Sequence, residues 1–302
     1  MNTTGTAMNC PAPTRELDGP VAPSALHSSG GPVADGSGLP AVALPVLTRS
    51  ASLLGLLFQD GTVDLELASS VVALDPGLAF GTLQLANRDR AGESNPVWQF
   101  PLAVVAAGRD LMLQLASRVP RMESSLSPGR TELRQLYRDA VLRAGVAHLL
   151  TRELGNCDPR KSFLAGLLLK LPAMVKVASA GHSISPAALL STMCSTLPSA
   201  VVTAAMAGLA SADQYDPLAP VGAIARIADA LVTSLARGSS GSGTLEKLAS
   251  GPLWRFWDEA HERQRCCLLS HGLELAKWAS ANLYKMDPWE FMARLERHKS
   301  WE

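Results

Sequence analysis

The sequence has no long apolar run and no excess of charge of either sign. Its longest apolar stretch, around residues 163–169, is far too short to cross a bilayer, and no apolar segment preceded by positive charge opens the chain. Lys plus Arg and Asp plus Glu each total 27 of the 302 residues, so the net charge is zero. We therefore expect no membrane span, no secretory signal and no general affinity for nucleic acid, which needs a strong positive charge.

Cysteine is scarce, and its spacing does not suggest a metal site. The five cysteines form no Cys-x-x-Cys pair and no regular framework, which argues against disulfides and zinc ribbons. Two of them, Cys266 and Cys267, are adjacent, which suits small apolar side chains on a helix. This cysteine usage predicts a reducing, cytoplasmic location.

The motifs of several common catalytic sites are also missing. There is no Gly-x-Ser-x-Gly elbow, no phosphate-binding Gly-x-x-x-x-Gly-Lys loop, and no second His four residues after His261. His148 stands beside an apolar stripe and is interpreted as a histidine at the edge of the core. His182 has no partner at ligand spacing. We predict no cofactor.

Two stretches of small and polar residues divide the chain. Residues 1–38 are rich in Pro, Gly, Ser and Thr and are predicted to be a disordered tail, because they cannot bury enough apolar surface to offset their ordering entropy. The Gly/Ser tract 238–243 is predicted to be a flexible linker. It separates a main body, 39–237, from a C-terminal segment, 244–302, whose tryptophans predict packing on the body.

What the sequence does contain is the pattern of consecutive helices. A capping Asp or Ser directly before a proline marks helix starts at 75–76, 185–186, 216–217 and 287–288. No run of alternating apolar and polar residues is bounded by hairpin turns, so we predict an all-α fold. The clearest amphipathic stripe consists of Leu133, Leu136, Tyr137, Ala140, Ala144 and Ala147.

Several short segments, in this order, resemble the motifs of an HDOD domain. They are Leu39-Pro40, predicted to open a helix, Leu74-Asp75-Pro76, Leu83-Gln84-Leu85-Ala86-Asn87, the Ala103–Gly108 helix, Leu136-Tyr137-Arg138-Asp139, the run from Phe163 to Pro172, and Arg226-Ile227-Ala228-Asp229-Ala230-Leu231. Each segment is weak alone, but together they span about 39–235 in register. The resemblance implies a multi-helix HDOD/HD-like bundle with a C-terminal helical extension. It also implies a regulatory module of bacterial signalling rather than an enzyme.

The resemblance further indicates where HD phosphohydrolases, the catalytic relatives of this fold, carry their metal ligands. The first His position matches Asp139, the His-Asp pair matches Leu169 and Lys170, and only Asp229 is retained. HD enzymes use one or two divalent metals to activate water. Leu169 offers no lone pair, and the ammonium group of Lys170 would repel a cation. We therefore predict that the metal site is lost and that the protein is not an enzyme.

Three functions follow from this interpretation. The first is a non-catalytic signalling module that acts through protein partners in its pathway. The second is a divergent phosphohydrolase acting on nucleotides or cyclic dinucleotides. The third is a small-molecule sensor that uses a residual polar pocket formed by Asp139, Lys170 and Asp229, in which an Asp–Lys pair replaces the charge compensation of the metal. The last helix, with one apolar and one basic face, is interpreted as packing on the core or as docking a partner.

Overall fold

The computed structural model describes residues 40, 42–59, 63–90, 96–122, 129–155, 157–179, 185–207, 220–238, 242–250, 254 and 262–297. Every regular element within these ranges is a helix, and the one β-type contact there is an isolated parallel bridge between Val46 and Arg121. The prediction of an all-α fold is therefore confirmed. None of the described helices has both the length and the apolar character that crossing a bilayer requires.

The helices follow one another with short connections. Their bounds are α1 Thr48–Gln59, α2 Leu65–Ala73, α3 Pro76–Asn87, α4 Phe100–Arg118, α5 Arg130–Leu154, α6 Pro159–Leu168, α7 Leu171–Ala178, α8 Pro186–Thr196, α9 Ser199–Ala207, α10 Pro220–Ala236, α11 Ser242–Ala249, α12 Glu262–Asn282 and α13 Pro288–Arg297. A short 3-10 turn, Arg88–Arg90, follows α3.

Capping side chains start several of these helices, as the sequence predicts. The Asp75 carboxylate accepts hydrogen bonds from the N–H groups of Gly77 and Leu78 and caps α3, and the Ser185 hydroxyl caps α8. Helix α13 begins at Pro288. These three predicted starts are confirmed, whereas the predicted start at 216–217 lies outside the described residues.

The prediction that a helix opens at Leu39-Pro40 is wrong. Pro40 and residues 42–47 are not helical, and α1 begins at Thr48. The Val46 N–H donates to the Pro120 carbonyl, and the Val46 carbonyl accepts from the Met122 N–H, both at 2.9 Å. This segment therefore pairs its backbone with a distant part of the chain rather than within a helix of its own.

The core surrounds α3, whose residues are all buried. Helices α1 and α2 pack against α4, which packs in turn against α3, while α5 and α6 form another close pair. A second apolar cluster lies on the far side of α5, where Val146 and Leu150 meet Ile224 and Leu231 of α10 and Leu269 of α12. Helix α5 thus separates two apolar clusters.

Helix α4 is interrupted at Gly108. This residue has φ 77° and ψ 162°, so the two halves of α4 meet at a kink. An L-residue with a side chain rarely adopts such a positive φ, which explains a glycine at this position.

The C-terminal helices pack against the helices that precede them. Helix α12 lies against α5 and α10, and α13 lies against α2. The rings of Trp278 and Phe291 stack with their centroids 5.3 Å apart. The apolar face of α13 is buried through Phe291 and Leu295, so this face belongs to the core.

The domain boundaries inferred from the sequence remain predictions. The predicted tail, 1–38, lies outside the described residues, as do 239–241 of the predicted linker. Helix α11 begins at Ser242, within the predicted linker 238–243.

Candidate functional site

A close contact between α5 and α6 positions the predicted site. A Cβ atom added at Gly166 would lie 2.9 Å from the Ala144 Cα and 2.9 Å from the Arg143 carbonyl oxygen. Only a residue without a side chain permits this approach of two helix backbones. The approach brings the side chain of Arg143 against the backbone of α6.

Arg143 is the centre of the site. Its side chain is 2% exposed, and its Nε donates to the Gly166 carbonyl at 2.8 Å. Its Nη1 donates to Oδ1 of Asp229, on α10, at 2.7 Å. Burial lowers the pKa of the Arg143 guanidinium, and the Asp229 carboxylate opposes that effect. Arginine nevertheless stays protonated in proteins, so Arg143 is a buried cation.

Lys170 supplies a second cation to the same carboxylate. It lies in the turn between α6 and α7, and its Nζ is 2.9 Å from Oδ2 of Asp229. The two oxygens of Asp229 are therefore each paired with a different cation. Their surroundings differ, because the Lys170 side chain is 36% exposed while that of Arg143 is buried.

Asp139 precedes Arg143 by one turn of α5. Its Oδ1 accepts a hydrogen bond from Gln135 Nε2 at 2.7 Å. Burial raises the pKa of the Asp139 carboxyl above its usual value, while the charge of Arg143 and the Gln135 hydrogen bond oppose the rise. Asp139, Arg143, Lys170 and Asp229 thus form a cluster of two acids and two bases.

The structure brings Lys170 and Asp229 into direct contact, while Asp139 joins them through its electrostatic interactions with Arg143 and Asp229. The role of these three residues as a ligand pocket remains a prediction. Arg143 was not among the residues singled out from the sequence. The sequence places this cation within the apolar stripe of α5, four residues after Asp139, but that pattern alone does not distinguish a buried cation from a solvated one.

Comparison with known proteins identifies the family. The profile of the HDOD domain matches residues 44–203, which is more than half of the chain. The chain belongs to the HDOD domain family. The match ends before α10, so the alignment of Asp229 with the last HD ligand stays a prediction.

A solved structure shows the same fold as this HDOD protein. A crystal structure named MmoQ response regulator, from Methylococcus capsulatus strain Bath, is 18% identical and has a TM-score of 0.52. The similarity covers 76% of this chain and 98% of that chain. A fragment of the same regulator, residues 20–298, is 16% identical over 86% of this chain and 93% of that one, with a TM-score of 0.41. A search of curated proteins returned no match.

The residues that the sequence predicts at the HD ligand positions do not fit a divalent metal. Leu169 is apolar and buried, and Asp229 is already paired with two cations. Within the described ranges, no three His, Cys, Asp or Glu side chains form a group that could hold a metal ion. His148 packs edge-on against Phe163, with the ring centroids 6.4 Å apart, whereas His182 and His261 lie outside the described residues.

Two cavities lie elsewhere in the described part of the chain. One, of about 430 Å³, is lined by α1, α5 and the connection between α12 and α13. The other, of about 410 Å³, has the aromatic side chains of Trp98, Phe100, Phe163 and Trp289 in its wall. Neither wall includes Asp139, Arg143, Lys170 or Asp229, so the acid–base cluster lines neither cavity.

Proposed function

We propose that this HDOD protein is a signal-transduction module that acts through protein contacts and has exchanged the HD metal centre for an internal ion-pair cluster. One observation carries the proposal: the Asp229 carboxylate is bound on both oxygens by the cations Arg143 and Lys170. A divalent ion binding to Asp229 would have to displace both of these partners. It would also lie next to two positive charges.

The physical role of the cluster is structural. A buried guanidinium is tolerated only when a carboxylate and further acceptors compensate its lost hydration. Asp229 and the Gly166 carbonyl do this for Nη1 and Nε of Arg143, and they join α5, α6 and α10. The Arg143 Nη2 is buried without a hydrogen-bond partner among the described residues. We infer that this link keeps the bundle rigid, so that its surface rather than an interior site carries the function.

The family and its relatives support a role in signalling. HDOD domains resemble HD phosphohydrolases in fold but are regarded as regulatory modules. The similar crystal structure is named a response regulator, which concerns that protein and supports the same class of function here. The described cysteines Cys157, Cys194, Cys266 and Cys267 form no disulfide, which supports a cytoplasmic location with protein partners in a reducing compartment.

Metal content and hydrolysis test the loss of catalysis. The full chain is purified, its Fe, Mn and Mg are measured by mass spectrometry, and hydrolysis of nucleotides and cyclic dinucleotides is followed with each metal added. We expect no stoichiometric metal and no turnover. Stoichiometric metal or turnover that disappears in Asp229→Asn would overturn the proposal in favour of a divergent phosphohydrolase.

Capture from the native cell tests the interaction. The full chain is used as bait, and a partner is accepted only if purified partner and chain form a complex of fixed stoichiometry on gel filtration. Leu56→Ser and Val105→Ser serve as mapping variants, because these side chains are 60% and 57% exposed on α1 and α4. Purified partners that all fail to form such a complex would leave the chain without a binding function and contradict the proposal.

The small-molecule sensor is the weaker alternative at this position. A ligand needs a concave space of several hundred cubic ångströms. Neither of the two cavities includes Asp139, Lys170 or Asp229 in its wall. The pairing of Asp229 with two cations also favours a rigid cluster over a ligand pocket at these residues.

A further inference from the structure

The cavity of about 430 Å³ between α1, α5 and the α12–α13 connection is lined by residues of two chemical kinds. Aliphatic residues are one kind, among them Leu47, Leu283 and Met286. Three arginines, Arg49, Arg134 and Arg138, also line it. No acidic side chain is among the described residues that line it.

The arginines are arranged to act together. Arg134 and Arg138 are one turn apart on α5, so their side chains lie on the same face of that helix. Arg49 reaches the cavity from α1. Arginine presents a planar fork of donors that matches the oxygens of a phosphate group, and several such forks on one wall favour a dianion.

The described carboxylates near the cavity have partners of their own. Asp287 pairs with Arg49 at 3.0 Å at the exposed edge, and Asp139 accepts from Gln135. Asp75 is buried and binds backbone N–H groups.

Arg138 has an unmet donor beside this wall. It donates from Nη2 to the neutral Ser280 hydroxyl, and its Nε is buried without a hydrogen-bond partner among the described residues. A buried donor without an acceptor is costly, so the hydrogen-bonding capacity of the Arg138 side chain is not fully used in the chain alone.

We propose that this cavity binds a small phosphate ester whose phosphate contacts Arg134 and Arg138 and whose apolar or aromatic body lies against Leu283 and Met286. The volume falls within the range of about 300–1,000 Å³ that is usual for small-molecule sites. The ring of Tyr284, which also lines the cavity, offers a flat face to an aromatic body. The inference goes beyond the proposed function, since it gives the module a chemical input that protein contacts alone do not supply.

Isothermal titration calorimetry on the full chain tests the site with four probes. Adenosine monophosphate combines a phosphate with an aromatic body, and glucose 6-phosphate combines a phosphate with a polar body. Inorganic phosphate supplies only the phosphate, and adenosine supplies only the aromatic body. We expect saturable one-to-one binding of adenosine monophosphate that weakens at high salt, because the phosphate contacts are ionic. Glucose 6-phosphate and inorganic phosphate should bind more weakly, and adenosine should not bind.

Variants assign the binding to the cavity. Arg134→Gln should raise the Kd for adenosine monophosphate about tenfold or more, since it removes a charge-assisted contact. Thr131→Glu, which adds a negative charge to the wall, should weaken binding as well. Both positions are exposed, so both variants should keep the circular dichroism and melting behaviour of the parent chain. Arg88→Gln is the matched control, because Arg88 is also exposed but does not line the cavity.

Three results would overturn the proposal. The first is the absence of saturable binding of adenosine monophosphate up to millimolar concentration. The second is an equal loss of affinity in Arg88→Gln and Arg134→Gln, which would indicate a non-specific charge effect. The third is binding of glucose 6-phosphate as tight as that of adenosine monophosphate, which would remove the role of the apolar wall. None of these results bears on metal content, which tests the proposed function separately.

Discussion

At the scale of single residues, Asp229 holds two cations whose surroundings differ. Arg143 is buried, with a side chain that is 2% exposed, whereas the Lys170 side chain is 36% exposed. Water screens and hydrates an exposed ammonium group, so its ion pair is worth about 0–1 kcal/mol. A buried cation that loses its carboxylate keeps its full desolvation cost, about 3–5 kcal/mol. The Arg143 contact therefore dominates the energetics of the cluster.

The first prediction follows from this difference. Asp229→Ala should lower the free energy of unfolding by about 3–5 kcal/mol, because it leaves Arg143 buried without its carboxylate. Lys170→Met should change it by at most about 1 kcal/mol, because Arg143 still compensates Asp229. Urea unfolding followed by circular dichroism measures both values. A loss in Lys170→Met as large as that in Asp229→Ala would show that the buried contact does not dominate.

The Asp75 carboxyl is fully buried and has no cationic partner in any described ion pair. Burial raises its pKa from 3.8 to about 6, against the opposing effect of hydrogen bonds from the backbone of Leu47, Leu78 and Gly77 and from the Ser50 side chain. Between pH 4 and 6 the folded chain therefore binds more protons at Asp75 than the unfolded chain does. The resulting stabilisation is fully present below pH 3.8 and is lost as the pH rises through about 6.

We predict a pH-dependent difference between the wild type and Asp75→Asn. The variant should be less stable than the wild type at every pH in the range, because the NH2 group of asparagine cannot accept the hydrogen bond that the Leu47 N–H donates to Oδ2 of Asp75. The gap between the two proteins should narrow as the pH rises from about 4 to 7, since only the wild type loses the proton at position 75. Urea unfolding of both proteins across this range measures the gap. Asp139 also has a raised pKa, but it is present in both proteins and therefore does not contribute to the difference between them. A difference in stability that widens as the pH rises would contradict the prediction.

At this scale, Arg143 is the residue of the cluster that the sequence did not reveal. Lys170 and Asp229 were accessible from the sequence because they occupy positions of recognisable motifs. Arg143 was not, because a charged residue within an apolar stripe is ordinarily placed at its solvated edge. Its burial depends on a carboxylate 86 residues away and on the close approach at Gly166, neither of which leaves a local pattern.

At the scale of elements, two glycines in helices differ in the sign of the backbone angle φ. Gly108 interrupts α4 with φ 77°, whereas Gly55 lies inside α1 and has no positive φ. A Cβ atom at either position would meet nothing within 4 Å, so the two sites differ in backbone conformation and not in space.

We predict opposite effects of the same substitution at these positions. Gly108→Ala should lower the free energy of unfolding by about 1–2 kcal/mol, because alanine at positive φ is strained. Gly55→Ala should raise it by about 0.5–1 kcal/mol, because alanine favours a helix interior. Thermal melts of both variants provide the measurement. Stabilisation by Gly108→Ala would mean that α4 is continuous at this residue.

Helix starts were predictable to different extents. Asp75 and Ser185 cap helices through hydrogen bonds to residues two or three positions later, so a short stretch of sequence contains the whole interaction. The segment at 42–47 offered no such local signal. Its backbone pairs with Pro120 and Met122, more than 70 residues away, and this distant partner decides its conformation.

At the scale of the whole molecule, the helices that match the HDOD profile do not form a complete hydrophobic core by themselves. The match ends at residue 203, yet Val146 and Leu150 of α5 are buried against α10 and α12. Arg143 also receives its carboxylate from α10. The segments that follow the match complete the apolar cluster and the charge balance of the helices within it.

We predict that a chain ending at residue 203 does not fold cooperatively. The truncation exposes the apolar side of α5 and leaves Arg143 without Asp229, and both changes destabilise the bundle. Thermal unfolding by circular dichroism should lose its sigmoidal transition, and a dye for apolar surfaces should bind. A chain ending at residue 297, which keeps all the described helices, is the control and should melt like the parent. A sharp transition in the shorter chain would show that residues 1–203 fold alone.

The contact of Arg49 with the end of α12 and the start of α13 has a consequence for protein synthesis. Arg49 donates to the carbonyls of Tyr284 and Met286 at 3.3 Å and to Asp287, residues 235 to 238 positions later in the chain. At translation rates of about 5–20 residues per second, α1 emerges from the ribosome roughly 10–50 s before these partners. The arginine-lined cavity is therefore incomplete until the connection between α12 and α13 has left the ribosome.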